Sequence, residues 1–540
     1  MATANMDSVT ASGRRSHHPL CAVGAVLIGS FLVGFQTRLF SIGLADLKGH
    51  FSLSFDEGAW LSTAANAPQI LIAPAVVWLA VTFGVRRILC LPSLVFALIC
   101  TIIPFVRDFE TLLVLHVLQA LLLGLFIPAT IIVILRNLPQ RWWLPALAIY
   151  AFRSAFTSNF GVSLVGSYVQ NLGWEWLYWQ GTILAPIMGL FAYFGAPDEP
   201  VSRDALTRAD WGGMILLGSG LALVYVGLDQ GNRLDWSSSG IVMATLAGGL
   251  ALIVAFFINE SVIAEPWASA RVLMSRNLIL LFATTTLFLL SSQSNSLLLP
   301  NFLTVVAALR PEQMGPLFVN YVAIPLFVLT IIAVLLLRRI DARIVLAMGL
   351  TAFACAALLG TTLTQQWRLV DFEVLALFQA IGHAFTFISI IVFTFANVDR
   401  TKAVAAAAYI QVLRLGSAEL GLALLSTWLR IREQIHSHYL GQHVASGDSV
   451  VVKRLAQLKA HFAPDFTGAA AKRSLSALAT TIQKEAYTLA YIDGFWLSFW
   501  AAIGALLLVA MMKAAQPGPF TPTPSPRHGR DAANRNRRAS

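Results

Sequence analysis

The chain has 540 residues, of which 57% are hydrophobic and 12% charged, about half the charged share of a soluble globular protein. A mean hydropathy of +0.71 over that length excludes a soluble enzyme, a disordered chain and a secreted disulfide scaffold. The net charge of +10 would point to nucleic acid or anionic lipid, but most Lys and Arg sit in connections and in the tail, the signature of membrane topology.

A bilayer-crossing helix takes about 20 mostly apolar residues. Cutting the chain at Asp, Glu, Lys and Arg leaves uncharged runs at 16–37, 58–85, 88–106, 111–135, 176–197, 211–228, 236–259, 277–309, 313–337, 344–367, 374–398 and 494–512. Two further spans carry charge: 142–169 holds Arg153, and 403–428 holds Arg414 and Glu419. The expectation is an all-α polytopic membrane protein of fourteen spans. Cys21, Cys90, Cys100 and Cys355 all fall in apolar runs without ligand spacing and read as core thiols.

Between spans 13 and 14, residues 429–493 form a 65-residue connection expected on the outer side. It contains helix-like stretches at 450–462 and 470–490, with apolar stripes at Val451, Leu455 and Leu458 and at Leu475, Leu478 and Ile482. Each stripe needs a cover, either the other helix or a partner. Residues 516–540 are Pro-rich, polar and basic, and are expected to be a disordered cytoplasmic tail.

With the N-terminus inside, short inner segments carry fifteen Lys and Arg, among them Arg14, Arg15, Arg86, Arg87, Arg141, Arg208, Arg271, Arg400 and Lys402. The short outer loops carry five. Positive residues favour the cytoplasmic side, so both termini are expected there.

An internal repeat organises the spans. Gln119-Ala120 in span 4 matches Gln379-Ala380 in span 12 at an offset of 260, and Arg153 matches Arg414 at 261. The inner loops GVRRIL (84–89) and DARIVL (341–346) match at 257. Two six-helix halves, 20–196 and 277–515, are therefore expected around an inserted pair in 197–276, with a cytoplasmic N-terminus at 1–19. Parallel halves around a central site are the architecture of a secondary transporter.

Here the chain resembles the major facilitator superfamily, and within it the fourteen-span drug:proton antiporters of the multidrug resistance protein B type. The resemblance rests on Trp174-Glu175-Trp176-Leu177-Tyr178-Trp179 entering span 6, Asp210-Trp211-Gly212-Gly213 opening span 7, and Leu228-Asp229-Gln230-Gly231 with Asp235-Trp236 closing it. It implies a major facilitator fold and an inner-membrane efflux transporter with no cofactor. It also implies proton coupling and work with a periplasmic adaptor and outer-membrane channel through 429–493. Several family positions differ: the loop motif Asp is Ala80 before Gly84, Arg86 and Arg87, the coupling Asp of span 1 is Gln36, and the Arg of span 4 is His116. The span 5 motif survives as Gly161 to Gly166 without its proline.

Ionisable groups inside spans are functional candidates because lipid burial is expensive. The expected pathway comprises Gln36, Arg38, His116, Gln119, Arg153, Gln379, Arg414 and Glu419, with Gly84, Arg86 and Arg87 as the inner gate. Alternatives stay open at each. Arg38 snorkels to the outer interface or meets substrate. His116 and His383 move protons or are satisfied core histidines. Glu419 couples protons or pairs with an arginine. Asp210 and Asp229 read as helix-end caps and interface anchors, and Asp56 as the cap of span 2. Neither the phosphate loop of a nucleotide-driven pump nor the clustered groups of a membrane enzyme occur, and the second reading is a specific organic- or aromatic-acid exporter or an uptake symporter.

Overall fold

The computed structural model describes residues 19–137, 142–207, 209–263, 275–398, 403–444, 448–462 and 470–514. The basic tail and the inner-loop residues Arg14, Arg15, Arg141, Arg208, Arg271, Arg400 and Lys402 lie outside these. The described chain is helical throughout. Its long helices are α1 (Pro19–His50), α2 (Phe55–Phe83), α3 (Val85–Ile102), α4 (Phe109–Asn137), α5 (Trp143–Ser167), α6 (Trp176–Gly195) and α7 (Trp211–Gly231). There follow α8 (Gly240–Val262), α9 (Arg276–Val305), α10 (Pro311–Leu337), α11 (Ala342–Gly360), α12 (Glu373–Ala396), α13 (Ala403–Gln442) and α14 (Ala470–Ala510). Eleven of these, all but α2, α5 and α6, are long and apolar enough to cross a membrane. Helices suit this composition because every backbone polar group in lipid has to be satisfied within the segment.

One set of neighbour relations occurs twice. Helix α1 packs on α4, α5 and α6, and α9 packs on α12, α13 and α14. Helix α3 contacts α4 and α6 as α11 contacts α12 and α14, while α2 meets α4 as α10 meets α12. Between these groups, α5 meets α10 and α2 meets α13. Helices α7 and α8 pack on each other, and α7 seats against both α2 and α13. Close approach depends on glycines. A Cβ at Gly166 would lie 2.8 Å from the Glu312 backbone, and one at Gly315 would lie 2.9 Å from Ser163 Oγ. Small residues permit such helix contacts in membranes.

The connection 429–493 differs from its expected form. Helix α13 runs on through Gln442 and α14 begins at Ala470, so much of the connection consists of two extended helices. A hydrophilic helix outside the bilayer keeps its hydrogen bonds while carrying charge, so charge does not mark its end. The short helix Ser449–Phe462 packs on α14, with Val451, Leu455 and Leu458 half-buried and Val450 and Val452 exposed. The first stripe is thus covered within the chain. In the second, Leu478 and Ile482 are half-buried but Leu475 is exposed. Asp493 ties the extensions together, accepting from Arg432 Nε at 2.6 Å and lying 2.7 Å from His436 Nε2.

The four cysteines are free, Cys100 buried and the others half-buried. The cap of α2 is Ser54, not Asp56. Ser54 Oγ accepts from the Glu57 amide at 3.2 Å, and the Glu57 carboxylate accepts from the Ser54 amide at 2.8 Å. This reciprocal pairing leaves Asp56 free to meet Arg233.

Candidate functional site

A cavity of about 360 Å³ lies among α1, α2, α4, α5, α7 and α13. That volume falls within the usual range of ligand pockets, roughly 300–1,000 Å³. Arg38, Arg153, Arg414 and Glu419 all border it, so the structure brings four of the eight expected pathway residues together. Arg38 reaches it from within α1, and its Nε donates to the Ser158 carbonyl at 2.9 Å. Arg153 is 3% exposed, with its guanidinium carbon 5.1 Å from the Tyr150 ring centroid. Its Nε and Nη2 have no hydrogen-bond partner among the described residues. Glu419 is 8% exposed, and no hydrogen bond or ion pair from a described residue reaches its carboxylate.

Asp229 is the main residue the sequence reading misplaced. It is no cap. Its carboxylate lines the cavity beside Tyr225 and accepts from Thr63 Oγ1 at 2.5 Å and Gln230 Nε2 at 3.4 Å. Gln230 also donates to Thr63 Oγ1 at 2.6 Å, and its Oε1 accepts from Arg233 Nε at 2.7 Å. A helix C-terminus presents carbonyls and repels a carboxylate, so an acid here needs the donors that α2 and α7 provide. The signal was available: an aspartate near a helix C-terminus is a poor cap. Asn66 and Gln69 of α2, uncharged and so invisible to a cut at charges, also line the cavity. Asp210 does cap, its Oδ1 accepting from the Gly213 amide at 2.7 Å.

The other expected pathway residues lie apart from this cavity. Gln36 and Gln119 border a small crevice with Gln69. Gln36 Nε2 donates to the Leu177 carbonyl at 3.3 Å, and Gln119 Nε2 lies 3.1 Å from Cys100 Sγ. His116 is fully buried, its Nδ1 donating to the Leu112 carbonyl at 2.7 Å and its Nε2 3.0 Å from the Tyr178 hydroxyl. Both ring nitrogens are occupied by these partners, as in a core histidine. Gln379 Nε2 donates to Ser294 Oγ at 3.2 Å. Asn295, in a π-turn of α9 at Ser294–Leu298, donates to Asn159 at 3.0 Å and to His383 Nε2 at 3.3 Å, joining α5, α9 and α12.

At the α2–α3 junction, Gly84 adopts φ +85°. Arg86 and Arg87 lie 4.0 and 3.8 Å from Asp198, just beyond α6, and Arg86 stacks 3.6 Å from the Tyr193 ring centroid. With Ala80 buried where the family carries Asp, Asp198 provides the negative partner.

Residues 26–421 match the Major Facilitator Superfamily. The chain belongs to that superfamily. It is 22% identical over 500 residues to the multidrug export protein EmrB of Haemophilus influenzae, covering 91% of this chain and 94% of that protein. It is 23% identical to the probable multidrug resistance protein EmrY of Escherichia coli (78% and 82% covered) and 20% identical to the fatty acid resistance protein FarB of Neisseria gonorrhoeae (79% and 84%). Among solved structures, a POT family peptide transporter superposes with a TM-score of 0.55 at 15% identity, covering 93% and 99% of the two chains. The proton:xylose symporter XylE gives 0.53 at 12%, covering 93% and 100%. The multi-pass helical fold is therefore that of the superfamily.

Proposed function

We propose that this chain is a secondary-active exporter of amphipathic small molecules across the inner membrane, with fourteen spans and both termini in the cytoplasm. The observation that carries the reading is the cavity bordered by the equivalent arginines Arg153 and Arg414 and by Glu419, whose carboxylate no described residue pairs, in a superfamily member whose relatives include multidrug export proteins. Two six-helix halves with α7 and α8 inserted are supported by the doubled set of helix neighbours. Proton coupling falls to carboxylates that border the cavity, since Gln36 replaces the family aspartate. An adaptor and outer-membrane channel would meet the projection of 429–493 at the edge that stays exposed, Tyr439, Val450, Val452 and Leu475. Three arginines on one cavity favour a second reading, a specific exporter of organic or aromatic acids.

The test is transport in proteoliposomes under an imposed pH gradient, with a fluorescent amphipathic substrate. Gradient-driven accumulation that collapses with a protonophore is expected, and accumulation indifferent to the gradient refutes the coupling. A cysteine placed at Ser202 should resist labelling from outside intact cells. Its labelling would refute the orientation.

A further inference from the structure

Charged side chains of both signs border the cavity. Asp229 and Glu419 are electrostatic neighbours of each other and of Tyr225, whose hydroxyl bonds Asn66. Arg153 has Arg414 and Tyr150 as its charged and aromatic neighbours. Among the described residues, Glu419 receives no hydrogen bond or ion pair, and Nε and Nη2 of the Arg153 guanidinium lack hydrogen-bond partners. Groups at least nine-tenths buried and left this way are costly unless a ligand completes them. An anionic substrate satisfies the arginines but meets two carboxylates. A permanent cation satisfies the carboxylates but meets two arginines.

We propose that the preferred substrates are amphoteric: an apolar or aromatic body with an acid group placed against Arg153 and Arg414 and a protonated amine placed between Glu419 and Asp229. This rests on the export reading for the site and specifies its substrate class. A molecule carrying both charges completes both groups at once. Removing either charge leaves one buried group bare. The rejection of partial matches is then strong, as it is wherever a site's buried polar groups go unpaired.

The experiment compares three probes on purified protein in lipid nanodiscs: norfloxacin, its N-acetylpiperazine derivative, which keeps only the acid, and its methyl ester, which keeps only the amine. Binding is read from intrinsic probe fluorescence. Norfloxacin should bind about tenfold or more tightly than either derivative, since a lost charged hydrogen bond costs at least that factor. Glu419→Gln should reduce the preference over the acetyl derivative, and Arg153→Gln should reduce the preference over the ester, Asp229 and Arg414 remaining in each case. Each variant should keep its preference over the other derivative, which shows that it is folded. Equal binding of norfloxacin and either derivative by the unaltered protein overturns the proposal, as does absence of binding by all three. Norfloxacin that binds selectively in nanodiscs without accumulating in proteoliposomes sustains this inference and defeats the export reading. Transport of all three probes with equal affinity does the reverse.

Discussion

Adjacent glycines in α8 should respond oppositely to one methyl group. Helix α7 brings Tyr225 and Asp229 to the cavity, so the seat of α7 on α8 bears on the site. A Cβ at Gly249 would lie 2.7 Å from the Gly220 carbonyl oxygen and 2.8 Å from the Val224 amide nitrogen. Both are backbone atoms of α7 and cannot rotate away. Ordinary carbon contacts need about 3.5 Å, so the helices must separate by close to an ångström. Overpacking of this kind costs about 1–3 kcal/mol. At Gly248, a Cβ meets only Leu223 Cδ1 at 4.0 Å, an ordinary contact. There Ala gains the helix-propensity difference over Gly, about 0.5–1 kcal/mol. Gly249→Ala should therefore lower the thermal unfolding midpoint and Gly248→Ala should hold or raise it, measured in one detergent with a thiol-reactive dye reporting on the four buried and half-buried cysteines. Equal shifts for the two variants would refute the backbone-contact argument.

Three further outcomes are expected. Gly84→Ala forces a side chain into φ +85° and ψ 138°, a region where non-glycine residues pay about 1–3 kcal/mol, and should lower the unfolding midpoint accordingly. Asp493→Asn weakens its pairing with Arg432 and His436, so amides in the α13 extension should exchange hydrogen faster, with a global stability loss under about 1 kcal/mol for partly exposed pairs; unchanged exchange across 430–442 would count against the clamp. Hydrogen bonds from the Thr111 amide and hydroxyl hold the Asp108 carboxyl below its ordinary range. Its stabilisation is therefore present above the unfolded pKa of about 3.9 and lost as pH falls through the lower folded value. The stability gap between the unaltered protein and Asp108→Ala should accordingly shrink from pH 6 to pH 3, and a constant gap would contradict this.

The helices were legible because uncharged runs of this length have few other fates. The pairing of Arg153 with Arg414 was legible because a charge inside such a run is conspicuous, and both arginines border the cavity. The same device concealed Asp229. A cut at charged residues treats any carboxylate near the end of a run as a boundary, whereas side-chain donors from α2 reach it across the helix interface. It also shortened α13 and α14, whose extensions carry charge in water without losing helicity. The polar line Asn159–Asn295–His383 uses side chains from α5, α9 and α12, widely separated in sequence. No local spacing encodes it.

Helices α7 and α8 are fastened unequally to α2 and α13. Toward α2, Thr63 and Gln230 are 4% and 2% exposed and lie in one hydrogen-bonded set with Asp229, which Arg233 extends to Asp56. Toward α13, the links are Trp236 Nε1 donating to Thr427 at 3.1 Å and Arg430 meeting Asp235 at 3.2 Å, with Asp235 69% exposed. Water competes for the second set and not for the buried part of the first. Alternating access by rocking of two halves separates α2 from α13, and any such motion has to break one set. The weaker set lies on the α13 side. A rocking motion of that kind would leave Asp229 with α2 and its donors while Glu419 and Arg414 moved with α13, and would so separate the two carboxylates of the cavity.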